Sequence, residues 1–175
     1  METKAERPVA ATVFGLLNIV FGVLGLIGLA MSVLVVFITP VPNDPVSKIV
    51  REGGTYAQFM KISLVLGTAA TVALLVAGVG LLMMKPWGRK LSVVYAIYAL
   101  VAGILGLVMN YLFLFGPLLE AARVQQGPEA AGAIGGLVGG LVGGLVGLLY
   151  PLLLLIFMTR PTIVAAFQPK ATAAA

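Results

Sequence analysis

"AGAIGGLVGGLVGGLVGLLYPLLLLIFM", residues 131–158, runs for 28 residues without an Asp, Glu, Lys, Arg or His. A helix needs roughly 20 apolar residues to cross a ~30 Å hydrocarbon core. The stretch is long enough to span a bilayer as a helix, too long for a barrel strand, and lacks the period-two alternation of such strands. Three more long apolar runs follow from the sequence: Val9–Ile38, Phe59–Met84, with Lys61 at its outer edge, and Leu91–Phe115. The chain has 175 residues, of which 61% are hydrophobic and 10% charged, and its mean hydropathy is +1.12. Those values lie far from a soluble domain. In lipid the backbone must satisfy its own hydrogen bonds, which leaves helices. The expected fold is an all-α membrane protein, one domain over residues 1–175. Its four-helix bundle has spans at 9–38, 59–84, 91–115 and 131–158. These are joined by an outer loop at 39–58, a cytoplasmic turn at 85–90 and an outer loop at 116–130, with a cytoplasmic tail at 159–175. The first run is about twice the apolar core of a cleaved signal peptide and is read as a span.

The glycines of the fourth run need an explanation. Seven of the thirteen residues from Gly135 to Gly147 are glycine, and each interior glycine costs a water-exposed helix roughly 0.5–1 kcal/mol relative to alanine. Four-residue spacing lines up Gly132, Gly136, Gly140 and Gly144 beside Gly135, Gly139, Gly143 and Gly147, making a flat, oblique groove. Small residues let helices in lipid approach closely enough for dispersion and Cα–H···O contacts, with a right-handed crossing near −40°. The expected packing partner is either the first helix, through Gly15, Gly22, Gly25 and Gly28, or another copy of the chain. Tyr150–Pro151 is a place for a bend.

Seven basic residues (Lys4, Arg7, Lys85, Arg89, Lys90, Arg160, Lys170) fall on the side of the termini and four (Lys48, Arg51, Lys61, Arg123) on the other. The excess of Lys and Arg places both termini in the cytoplasm. The net charge of +5 then reads as topology and contact with an anionic leaflet, with no nucleic-acid partner. In "KPWGRK", residues 85–90, Pro86 and Gly88 are expected to break the helix. Lys85, Trp87, Arg89 and Lys90 are expected to anchor that turn at the lipid headgroups.

The outer loops carry helix signals. Asp44 can cap a short amphipathic helix that begins at Pro45, stops at Gly53 and groups Val46, Ile49 and Val50 on one face. "GPLLEAARVQQGP" repeats the plan, with Pro117 near its start and Gly127 as its stop. An internal duplication fits this pattern. "FGVLGLI" (21–27) aligns with "AGILGLV" (102–108), and "LMMKP" (82–86) with "FMTRP" (157–161). Both halves start on one side, so a pseudo-twofold axis would lie along the membrane normal.

Cysteine and histidine are absent, which removes disulfides, thiolates and imidazole chemistry. Claudin-like and tetraspanin-like readings need outer-loop cysteines and fail. Small four-pass multidrug transporters and glycine-rich rotor rings rely on a membrane-embedded carboxylate, and no acid lies at central depth. The candidate buried polar residues are Asn18, Thr68, Thr71, Ser92 and Asn110, with Tyr95, Tyr98 and Tyr111 nearby, and interhelical hydrogen bonding is their expected role. Asn18 and Asn110 lie toward opposite faces of the membrane. No nucleophile–base pair, metal cluster or phosphate loop is present, so no cofactor, metal or catalytic residue is expected.

"RPVAATVFGLLNIVFG" (7–22) and "LLMMKPWGRKLSVVYAIYAL" (81–100) resemble small uncharacterised four-pass bacterial integral membrane proteins. These share a Trp-x-Arg/Lys-x-Leu turn before a Tyr-Ala helix, matched here by Trp87, Arg89, Leu91, Tyr95 and Ala96. The resemblance implies a four-pass topology in a bacterial inner membrane and no particular activity, and the glycine array departs from it. The expected function is non-enzymatic: an accessory subunit, scaffold or membrane organiser acting through glycine-mediated helix association with itself or another membrane protein. An oligomeric channel or carrier for small or apolar solutes is the alternative.

Overall fold

The computed structural model describes residues 8–34, 38, 45–124 and 128–168. Among them every element is helical: α1 (Val9–Val33), α2 (Pro45–Glu52), α3 (Gly54–Leu82), α4 (Pro86–Phe113), α5 (Phe115–Val124), α6 (Pro128–Thr159) and α7 (Pro161–Ala166). α1, α3, α4 and α6 are each long and apolar enough to cross a membrane. Large apolar side chains point outward from all four, including Val65, Val101, Leu112 and Leu145. A water-soluble monomer does not expose so continuous an apolar surface; the chain is a multi-pass membrane protein.

The long helices follow one another around the bundle. α1 packs most closely on α3, α3 on α4, and α4 on α6. α1 reaches α6 through rings, Phe14 against Phe157 at 5.2 Å and Phe21 against Tyr150 at 4.5 Å between centroids. The tightly packed core lies at the end that carries the α3–α4 turn and α7, called here the terminal end. It contains Ala11, Phe14, Leu74, Leu81, Ala96, Leu154, Met158, Ile163 and Phe167. The opposite end, bearing α2 and α5, is the loop end.

Several boundaries differ from the sequence expectation, each for a local reason. α4 begins at Pro86 rather than Leu91. Proline lacks only an N–H that a first helical turn leaves unbonded, so it opens this helix instead of breaking one. α3 closes in a Schellman turn, with Lys85 N–H donating to the Gly80 carbonyl at 2.9 Å and Met84 N–H to that of Leu81 at 3.0 Å. Met84 takes the left-handed position (φ 54) that glycine usually fills, and its packing against the core offsets that strain.

α3 also starts earlier than Phe59, at Gly54. The turn before it rests on Gly53 and Gly54, with φ of 83 and 86, which only glycine adopts without strain. α2 occupies the expected stretch and buries Val50, whereas the Asp44 cap and the Gly127 stop lie outside the described residues. α5 packs along α6. α6 continues through Pro151 from 128 to 159 without a break. α7 stands in the expected tail, opened by Pro161 after an extended Arg160, and it tucks Ile163 under the bundle. Lys85–Pro86 and Arg160–Pro161 thus have the same local form, an extended basic residue followed by a helix-opening proline.

Candidate functional site

Three structural features bear on function: a buried polar cluster, a set of close glycine contacts and an exposed glycine column. The cluster joins α1, α4 and α6 near the terminal end. Asn18 and Ser92 are both completely buried. The Asn18 amide donates to Ser92 Oγ at 3.2 Å, Ser92 Oγ donates to the Gly88 carbonyl at 2.9 Å, and the Tyr150 hydroxyl donates to Asn18 Oδ1. An amide both donates and accepts, so one side chain ties three spans together. Every heteroatom of the cluster has a partner, as a buried group requires. These links make a clamp, with no nucleophile–base geometry.

Asn110 makes the expected interhelical hydrogen bond, linking α4 to α3, but it is not buried as expected. It is exposed at the loop end, and its Oδ1 accepts from Tyr56 Oη at 2.9 Å. Tyr56 is the buried partner, stacked near Phe113 at 5.7 Å between centroids. Thr68 and Thr71, by contrast, do not bridge helices: both hydroxyls donate 2.7 Å bonds to carbonyls four residues back in α3, a common outlet for threonine within a helix.

The glycines separate into two kinds. On α1, a Cβ at Gly15 would lie 2.8 Å from Leu82, one at Gly22 2.5 Å from Leu75, and one at Gly25 3.0 Å from Thr71. The small face of α1 therefore receives α3, not α6. Across the pair, a Cβ on Gly78 would come within 2.8 Å of the Gly15 carbonyl oxygen and 3.0 Å of Asn18 Cβ. The closest approach of two backbones is at the terminal turn, where a Cβ on Gly88 would stand 2.6 Å from Gly80 Cα. Gly103, which aligns with Gly22 in the internal repeat, receives Leu148 of α6 at 2.6 Å, as Gly22 receives Leu75. Gly78 and Gly80 do not stand out in the sequence, Gly88 reads there as a helix breaker, and Gly103 is visible only as part of the repeat.

The glycine array of α6 behaves otherwise. Gly144 meets Leu107, and Gly136 meets Leu118 at 3.7 Å. Gly140 has nothing within 4 Å but lines a cleft of about 60 Å³ with Asn110, Leu107 and Leu118. Gly132, Gly135, Gly139, Gly143 and Gly147 have no such neighbour, and neither does Gly28 of α1. One column thus faces α4 and α5, and the other faces out of the chain.

Of the four expected lipid anchors, Lys85, Trp87 and Lys90 are exposed. Arg89 instead turns inward, where its guanidinium donates to the Met158 carbonyl at 3.1 Å and closes an open end of α6. Removing that cap by Arg89→Met should lower stability by about 1–2 kcal/mol, measured by unfolding in detergent. Arg160 lies over the Phe157 ring at 4.5 Å. Among the described residues no group of acidic side chains could hold a metal ion.

Comparison with family profiles, with curated protein sequences and with solved structures finds no match. The class is set by the fold: an all-α, four-helix, multi-pass membrane protein.

Proposed function

We propose that this chain is a non-enzymatic association protein of a bacterial cytoplasmic membrane, a glycine-zipper scaffold or accessory subunit. Its outward glycine column would seat a helix of a second copy or of another membrane protein. The observation that carries this reading is the column Gly135, Gly139, Gly143 and Gly147, where a Cβ would meet no other helix within 4 Å. At 1.5 Å per residue the column extends about 18 Å, more than half of a hydrocarbon core. Its flanks are the exposed Val138, Val142 and Val146. A flat helix face beside a valine ridge gives an incoming helix the close backbone approach that stabilises association in lipid.

Cross-linking in native membranes tests it. The wild type should form a discrete complex, and Gly139→Leu with Gly143→Leu should abolish that complex while leaving the folded chain in the membrane. A wild type that stays monomeric, or a complex that survives both leucines, would refute the reading.

The cytoplasmic placement of both termini is tested separately. With no native cysteine, single cysteines report without background. Glu52→Cys should react with a membrane-impermeant maleimide in intact cells and Lys90→Cys only after lysis. The opposite pattern would invert the topology.

A further inference from the structure

Toward the loop end α1 and α3 part. A Cβ at Gly25 would still lie 3.0 Å from Thr71, but beyond that pair one at Gly67 would be 3.7 Å from Leu29 and one at Gly28 would meet no neighbouring helix within 4 Å. The gap is a lateral groove of about 620 Å³, walled by Leu26, Leu29, Ala30 and Val33 of α1 and by Leu64, Val65 and Ala69 of α3. Its surface is hydrocarbon. Thr68 is there too, but its hydroxyl is committed to the Leu64 carbonyl. Ser32, on the neighbouring part of α1, is likewise bonded to the Gly28 carbonyl at 2.9 Å.

Lys61 does not line the groove but lies about one helical turn before Leu64 on α3, on its loop-end side. It precedes Leu64, Val65 and Thr68 by three, four and seven residues, spacings that share one face of a helix. Among the described residues it is the one basic side chain more than four residues inside any of the four long helices, and it is exposed with no acidic partner there. Ionisable groups inside spans mark sites by default, and a lysine stem reaches from there to headgroup depth.

We propose that the groove holds one acyl chain of an anionic phospholipid from the loop-end leaflet, with Lys61 on its phosphate. The shape favours a chain over a helix, because helices are about 10–12 Å across with their side chains while α1 and α3 still pack closely at Gly25 and Thr71. The volume lies within the roughly 300–1,000 Å³ of small-ligand sites. The charge selects the headgroup, since an unpaired cation at the interface favours a lipid of net negative charge by about 1 kcal/mol, or about fivefold.

Native mass spectrometry of the full chain, released from detergent after titration with phosphatidylglycerol or phosphatidylcholine, tests this. The wild type should retain phosphatidylglycerol about fivefold better. Lys61→Gln should erase that preference, and the groove-filling pair Ala30→Leu and Ala69→Leu should remove the bound lipid whatever its headgroup. Photocrosslinking of the wild type with phosphatidylglycerol carrying a diazirine in its chain needs no variant, and its adducts should concentrate on residues 26–33 and 64–69. A preference that survives Lys61→Gln, lipid retained by the filled groove, or adducts spread evenly over the lipid-facing helices would each overturn the proposal. So would a dimer that the groove-filling pair dissociates, because the occupant would then be a second copy.

Discussion

Gly88→Val is expected to destabilise the protein by about 3 kcal/mol or more, and to lower the yield of folded chain in detergent. A side chain there would collide with main chain: Gly80 Cα lies 2.6 Å and the Leu81 nitrogen 2.7 Å from the Cβ position. A rotamer change can move a leucine tip aside, but it cannot move a helix backbone. Overpacking against side chains costs roughly 1–3 kcal/mol and more where the surroundings are rigid. Rigid surroundings are what this turn has, since the Gly80 carbonyl accepts from Lys85 N–H and the Gly88 carbonyl accepts from Ser92. Gly88→Ala should show the same sign at smaller size, and Gly80→Ala should match it, with Trp87 2.6 Å away. The controls are Gly106→Ala and Gly139→Ala, where the Cβ meets nothing within 4 Å. Both should be neutral or stabilising by up to about 1 kcal/mol, since alanine is the better helix former. Unfolding midpoints in one detergent would check the series, and equal losses at Gly88 and Gly106 would contradict it.

That contrast also shows what the sequence could reveal. The four spans are legible because each hydrophobic run exceeds the thickness of the bilayer, and no packing detail can alter that. The short helix at 45–52 is legible because Pro45 and Gly53 bracket it and its apolar residues share a face. The start of α4 is misread because Pro86 and Gly88 are ambiguous symbols. Proline both stops helices and opens them, and glycine both breaks helices and lets them touch. The choice depends on what lies opposite, which is Gly80, eight residues earlier in the chain. The same ambiguity affects the glycine array. Its density draws attention, yet the in-chain contacts fall mostly to sparse glycines such as Gly78 and Gly103, while the column from Gly135 to Gly147 faces outward. Spacing fixes which glycines share a helix face, but not which face is covered. The polar cluster was half legible: Asn18 and Ser92 are conspicuous in apolar runs, whereas Tyr150 resembles an interfacial ring until α6 is placed beside α1.

Asn18→Leu should cost about 2–3 kcal/mol although leucine is the more apolar residue and the site lies within a membrane span. The substitution removes the acceptor of Tyr150 and the donor to Ser92 at once, leaving a buried hydroxyl that must find another partner. One interhelical hydrogen bond in a membrane protein contributes about 0.6 kcal/mol on average and at most about 1.7, while a buried polar group left without its partner costs about 1–3 kcal/mol. Leucine must also fit beside Gly78, whose Cβ position is 3.0 Å from Asn18 Cβ. Tyr150→Phe removes a single bond and keeps the ring against Phe14 and Phe21, so its expected loss is near 1 kcal/mol. A double-mutant cycle of Asn18→Ala and Tyr150→Phe separates the bond from the packing, and a coupling of about 1 kcal/mol is expected. Zero coupling would mean that the rings alone hold α1 to α6. The cluster would then be a satisfied polar inclusion rather than the clamp that fixes the terminal end while the loop end opens toward lipid.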